Sequence, residues 1–168
     1  MRSRFVSSEI SFASVFADAG ADYEKLREIS DDLVPFGKHA GIEITEVGPD
    51  RAVAEIPGKP HQANHLGTVH AGALFLAADI AGAAAFVGAA APVLSNVDIL
   101  VLRNAGASFR KPATGRIRAI ATVDEREMRR VLAADGAQRF DLDGKAQLFD
   151  SAGVMVAKFT FEYVCTMV

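Results

Sequence analysis

The stretch from residue 71 to 94, "AGALFLAADIAGAAAFVGAAAPVL", restricts the fold of this chain more than any other, because Asp79 is its single charge. A segment that is apolar on every side has to be surrounded, by protein or by lipid. Lipid is the poorer host here. Alanine and glycine give little transfer energy, and an ionised aspartate at mid-depth costs about 2.5 to 3.5 kcal/mol on insertion scales. The expectation is therefore a helix from about Val69 to Ala90, buried inside a folded domain, with Thr68 placed to cap its first turn and Pro92 to end it. A membrane span is not expected.

With 168 residues, half of them apolar, the chain can build one domain with a sizeable core. Its formal charge of -3 is small and its lysines and arginines are scattered, so there is no electrostatic footprint for nucleic acid. The single cysteine, Cys165, cannot form an intrachain disulfide, which fits a reducing compartment and makes the cytoplasm the expected location. In "MRSRFVSSEISFASVFADAGA" Glu9 and Asp18 interrupt any signal-like apolar run. Residues 1–21 are expected to form an N-terminal extension, loose or helical, and residues 22–168 a single domain.

Leu26, Ile29 and Leu33 recur at helical spacing between Asp22 and Val34, and Pro35 closes that segment. "GIEITEV" and "RAVAEIP" alternate around "GPD" and predict a β-hairpin over about residues 41–57. After the long helix come four strand-like runs, "VLSNVDILVLRNA", "GRIRAIATVD", "GKAQLFD" and "VMVAKFTFEYVCTM". The charged stretch 124–139 reads as a helical excursion or a long loop. Strands grouped around segregated helices indicate an α+β domain, whose antiparallel sheet needs a cover for its apolar face. A helix of small residues can approach such a sheet closely.

The segment "VPFGKHAGIEI…NHLGTVHAGALFLAAD" resembles the hotdog acyl-CoA thioesterases related to the phenylacetate-pathway enzymes, and is most similar to an uncharacterised thioesterase-like DUF4442-type branch. The resemblance runs from about Val34 to Val164. It implies a hotdog fold: a curved antiparallel sheet of about six strands around one long central helix. It also implies hydrolysis of an acyl-CoA thioester to free acid and coenzyme A. No separate cofactor is expected, since coenzyme A enters as part of the substrate. The matched pattern is Asn64, His70, a small residue, Gly72 and Asp79. By this resemblance Asn64 helps hold the attacking water, His70 supports the site, Ala71 supplies a backbone N–H for the thioester oxygen, and Asp79 is the general base or nucleophile. "FRKPATG", residues 109–115, resembles the connection near the coenzyme A entrance. Where the family reads His-Gly-Gly this chain reads His70-Ala71-Gly72, which keeps the N–H and adds a methyl group beside the acyl position.

The chemistry fits these residue types. Thioester hydrolysis develops charge on the carbonyl oxygen, and a helix N-terminus at Ala71 and Gly72 offers donors to it. A carboxylate in an apolar setting has a raised pKa and becomes a useful proton acceptor. Distance adds a constraint. At ~1.5 Å per residue, His70 and Asp79 lie about 13 Å apart along the axis, too far to act on one carbon. Two chains with antiparallel central helices would solve this, so a homodimer with shared active sites is expected, with a tetramer as a further option.

Candidate substrate contacts are Gly67, Phe75, Ser95, Asn96, Arg110 and Lys111. Arg110 and Lys111, with Arg116 and Arg118, could grip coenzyme A phosphates or be ordinary surface charges, and Ser95 and Asn96 could line the pocket or cap a turn. His61, His65 and His70 lack metal-ligand spacing and no cysteine joins them, so no metal is expected. Cys165 lies in a terminal strand and no G-x-S-x-G is present, so neither a cysteine nor a serine nucleophile is supported. Two alternatives stay open: a non-catalytic acyl-CoA or fatty-acyl binding protein on the same fold, and a hotdog enoyl-CoA hydratase.

Overall fold

The computed structural model describes residues 15–168. Of the expected N-terminal extension, only residues 15–21 are described, and Phe16 and Ala19 within them are buried in the same core as the rest of the chain. Helix α1 spans Tyr23–Leu33, with the Asp22 carboxylate capping it by accepting from the Lys25 N–H. Pro35 ends α1 as expected, yet it also begins a second short helix, α2, Pro35–Ala40. Proline suits that first helical position because its missing N–H would have had no partner there.

Strands β1, Glu43–Val47, and β2, Ala52–Ile56, form the expected hairpin. The central helix α3 follows, Ala71–Ala89, then a 3-10 turn, Ala91–Asn96, carrying Pro92 at its start. Strand β3 is Val97–Phe109, β4 is Ile117–Val123, α4 is Glu125–Leu132, β5 is Gln138–Asp150 and β6 is Met155–Met167. The charged stretch after β4 thus resolves into a helix, capped by Asp124, followed by the first part of β5. Its sequence looked too charged for a strand because every second residue from Arg139 to Lys145 faces away from the core.

All strand pairs are antiparallel, in the order β1-β2-β4-β5-β6-β3. The sheet wraps α3 in the hotdog arrangement. By length and composition α3 could cross a membrane, but most of it is buried inside the protein. Alanine has the highest helix propensity and adds little bulk, so a helix built of it is stable locally and can lie close to the strands. At Gly88 the helix comes so near the β1–β2 turn that a Cβ would collide with the Gly48 carbonyl.

The two edges of the sheet differ. β1 is short and lies against α1, whereas β3 is a long edge paired on one side only, by β6. Ile99 and Val101 on β3 are 47% and 50% exposed. An unpaired edge of that length leaves a row of backbone donors and acceptors available to another strand.

Candidate active site

The loop before α3 is held by side chains that face inward to its own backbone. The Asn64 Oδ1 accepts from the Leu66 and Thr68 N–H groups, and its Nδ2 donates to the Thr68 hydroxyl. An asparagine amide has two N–H donors, so one remains for a further partner. Gly67 has φ +74, the left-handed conformation that lets the chain turn back toward Asn64.

Gln62, which is buried, was not among the residues singled out from sequence. Its Oε1 accepts from the Gly58 and Lys59 N–H groups, its Nε2 donates to the Ala40 and Gly41 carbonyls, and its backbone carbonyl accepts from the His70 N–H. It therefore ties the end of α2 to the start of α3. Nothing in "KPHQANHLG" marks this glutamine over its polar neighbours, since the two carbonyls that its Nε2 serves come from a segment more than twenty residues away.

Helix α3 is capped by His70, not by Thr68 as expected. The His70 Nδ1 accepts from the Gly72 N–H at 2.9 Å, and the Thr68 hydroxyl serves Asn64 instead. For neutral histidine this bond puts the proton on Nε2. The His70 carbonyl accepts from Ala73 and Leu74. Ala71 is left as the first-turn residue whose N–H has no hydrogen bond among the described residues, and it is exposed. Of the two donors expected at this helix start, Gly72 is thus occupied and Ala71 is open.

Asp79 stands on the one face of α3 that the chain's own sheet leaves uncovered, together with Gly72, Phe75, Leu76 and Ala83. Among the described residues its carboxylate has no hydrogen bond and no ion pair. Burial pushes its pKa up from the ordinary value. Phe75 is 37% exposed and meets Phe159 edge to face, with Phe109 meeting the same ring from β3. The open face is thus apolar, with one carboxylate in the middle and one free N–H at its end. Asp79 follows Ala71 by eight positions along the helix, a rise of about 12 Å.

The other candidates fall at two ends. Arg110 and Lys111 follow β3, are exposed, and make no ion pair among the described residues. Their connection is docked against the loop before α3, because Val69 N–H donates to the Ala113 carbonyl. Arg116 and Arg118 are engaged with Glu55. Ser95 and Asn96 lie beyond the C-terminal end of α3, about 30 Å along the axis from His70; the Ser95 hydroxyl meets the Asn96 side chain. One chain does not bring Ser95, Asn96, Asp79 and Ala71 together. Cavities of about 470 to 510 Å³ are lined elsewhere, by residues of the outer sheet face, of α4, and of the α1–β1 region.

The family model described as Domain of unknown function (DUF4442) matches residues 25–165. No curated protein matches the chain. Among solved structures, the Pseudomonas aeruginosa protein of unknown function PA5026, called "Probable Thioesterase", is 25% identical, with a TM-score of 0.69 over 86% of this chain and 95% of that one. A thioesterase family protein from Silicibacter pomeroyi is 19% identical, with a TM-score of 0.66 over 87% and 99%. Thioesterase HI1161 from Haemophilus influenzae is 17% identical, with a TM-score of 0.63 over 85% and 89%. At such identities the last two establish the fold alone. Together these likenesses support a thioesterase-like hotdog fold.

Proposed function

Because the chain belongs to the DUF4442 family, whose model spans most of its length, we propose that it is an acyl-CoA thioesterase, active in the cytoplasm as a homodimer with two shared sites. The observation that carries this reading is the pairing of an unengaged Ala71 N–H at the start of α3 with an unpartnered, desolvated Asp79 on the same open helix face. The names of the structural neighbours point the same way for their own proteins.

In the proposed dimer the β3 edges of two chains pair antiparallel and their α3 helices run antiparallel beneath. Each Asp79 then faces the partner's Ala71, and the apolar faces around Phe75 close on each other. The substrate carbonyl oxygen accepts from the Ala71 N–H, and the spare Asn64 N–H holds a water. Asp79 takes a proton as that water's oxygen attacks the thioester carbon. The carbonyl π pair moves to oxygen, where the Ala71 N–H stabilises it; the tetrahedral intermediate then collapses, breaking the C–S bond. The thiolate leaves and recovers the proton from Asp79. One water is consumed, and one acid and one thiol are formed. Arg110 and Lys111 bind the phosphates at the entrance. Gly67 shapes the loop beside them, while Ser95 and Asn96 reach the pocket from the partner's opposite helix end.

The added methyl of Ala71 favours a second reading, in which the same face binds acyl-CoA without hydrolysing it. Hydrolysis of a panel of acyl-CoA thioesters decides between them. The expected result is turnover by the parent protein, reduced about 10²- to 10⁴-fold in Asp79→Asn, the range supplied by a positioned base. Tight binding with no hydrolysis across the panel overturns the enzyme reading.

A further inference from the structure

On the sheet side of α3 lies a polar atom that the mechanism above does not use. Strand β6 presents Phe159, Phe161 and Tyr163 in sequence toward the helix, their rings in contact one with the next. The first two are hydrocarbon, and a third phenylalanine would fill the same space. Tyr163, 1% exposed as a residue, instead adds a buried hydroxyl that has no hydrogen-bond partner among the described residues. Buried hydroxyls are seldom left in that condition, because desolvation without a partner is unfavourable.

That hydroxyl abuts α3 at Gly82, in the space that a Cβ there would occupy. Gly82 follows Asp79 by three residues. Side chains at that spacing share a helix surface, with Cβ atoms about 5 to 6 Å apart. The Tyr163 hydroxyl thus stands one helix neighbour away from the Asp79 Cβ, and a carboxylate rotamer or one water closes the gap. Each of the two groups lacks a partner of its own, and each is what the other requires: a neutral donor and a charged acceptor.

Resting on the thioesterase reading above, we propose that Tyr163 is a positioning residue for Asp79, donating its hydroxyl hydrogen to the carboxylate directly or across a single water and thereby aiming it along the open helix face. The charge on Asp79 and the burial both raise the Tyr163 pKa, burial being the larger cause, so the hydroxyl stays protonated and always able to donate. Among the described residues no other group facing this part of α3 competes for the role. The helix-facing positions of β2, β3, β4 and β5 are apolar or glycine. On the helix-facing side of β6 the other titratable group is Cys165, whose thiol burial pushes up to about 11, while Lys158 and Glu162 lie on the opposite face, Glu162 engaged with Arg103 and Asn104. α2 meets α3 through Gly37 against Ile80, and the buried residues of α1 are Leu26 and Ser30.

The test is an NMR titration of the intact protein with ¹³C-labelled aspartate and tyrosine, comparing wild type, Tyr163→Phe and Asp79→Asn. Loss of the donor should raise the Asp79 pKa by about one unit, a tenfold change in proton affinity. In the wild type the Tyr163 Cζ resonance should move with the same midpoint as Asp79, and in Asp79→Asn it should stop moving. With acyl-CoA, the acid limb of kcat/KM should shift upward by the same amount in Tyr163→Phe while KM holds. An Asp79 titration unchanged in Tyr163→Phe, or a Tyr163 resonance that ignores Asp79 ionisation, overturns the proposal. The titrations need no turnover, so absence of thioester hydrolysis would remove the enzymatic reading and leave the Tyr163–Asp79 coupling to be decided by NMR.

Discussion

Asp79, half-buried, and Gln62, buried, show two opposite ways in which a polar residue withdrawn from water acts on stability. Burial raises the folded-state pKa of Asp79 above its value in the unfolded chain. Its contribution is therefore fully present below the unfolded pKa, about 3.9, and is lost as pH rises through the higher folded value. At neutral pH the ionised carboxylate weakens the fold. Asp79→Asn removes the charge, so thermal melts should show a higher midpoint than wild type at pH 7 and no advantage near pH 3. A variant less stable at both pH values would mean that the contacts of the carboxylate outweigh its loss of hydration. Gln62 is satisfied on all sides. Gln62→Ala strands four backbone groups at once, at an expected loss of about 2 to 3 kcal/mol. Urea titration should show this as a lower midpoint with an unchanged slope. Asp79 was legible in the sequence because a lone charge in an apolar helix stands out; Gln62 was not, because its value lies in carbonyls brought from the end of α2.

At the level of elements, α3 was readable nearly to the residue, since apolar content, length and a closing proline all mark it. Its cap was not. Thr68 and His70 both precede the helix, but it begins at Ala71, so His70 stands at the cap position while the Thr68 hydroxyl accepts from Asn64. The same limit applies to β5, whose first half alternates so many charges that only pairing with β6 reveals it as strand. Small residues on α3 are another matter of contact rather than pattern. Alanine is a better helix former than glycine by about 1 kcal/mol, which taken alone would make Gly88→Ala stabilising. Against that stands the Gly48 carbonyl, a backbone atom that cannot rotate away, and overpacking of this kind costs about 1 to 3 kcal/mol or more. The clash wins. With a net loss of about 1 to 2 kcal/mol and a shift of about 2 to 4 °C per kcal/mol, calorimetry should find Gly88→Ala melting about 2 to 8 °C below wild type; an unchanged or higher midpoint would show that the β1–β2 turn yields easily.

For the molecule as a whole, the open face of α3 and the unpaired edge of β3 are the same fact seen from two sides: a sheet that wraps only part of its helix. Spacing along one helix already separated Ala71 from Asp79 by more than a thioester can bridge, and the structure keeps them apart. What spacing cannot supply is the relative placement of a second chain, which depends on surface shape along β3. Shared sites nevertheless make a quantitative demand. Asp79→Asn and Asn64→Ala damage opposite halves of the proposed site, so in a mixed dimer one site carries both defects and the other carries neither. Refolding the two inactive variants together at equal concentration gives mixed dimers as half of the population, each with one intact site of two. Activity should return to about a quarter of the wild-type value, as two-fold symmetry requires. If each site were built within one chain, every site in the mixture would carry one defect and nothing would return. Tagging the two variants differently and isolating the mixed dimer sharpens the comparison, to half of wild-type activity against none.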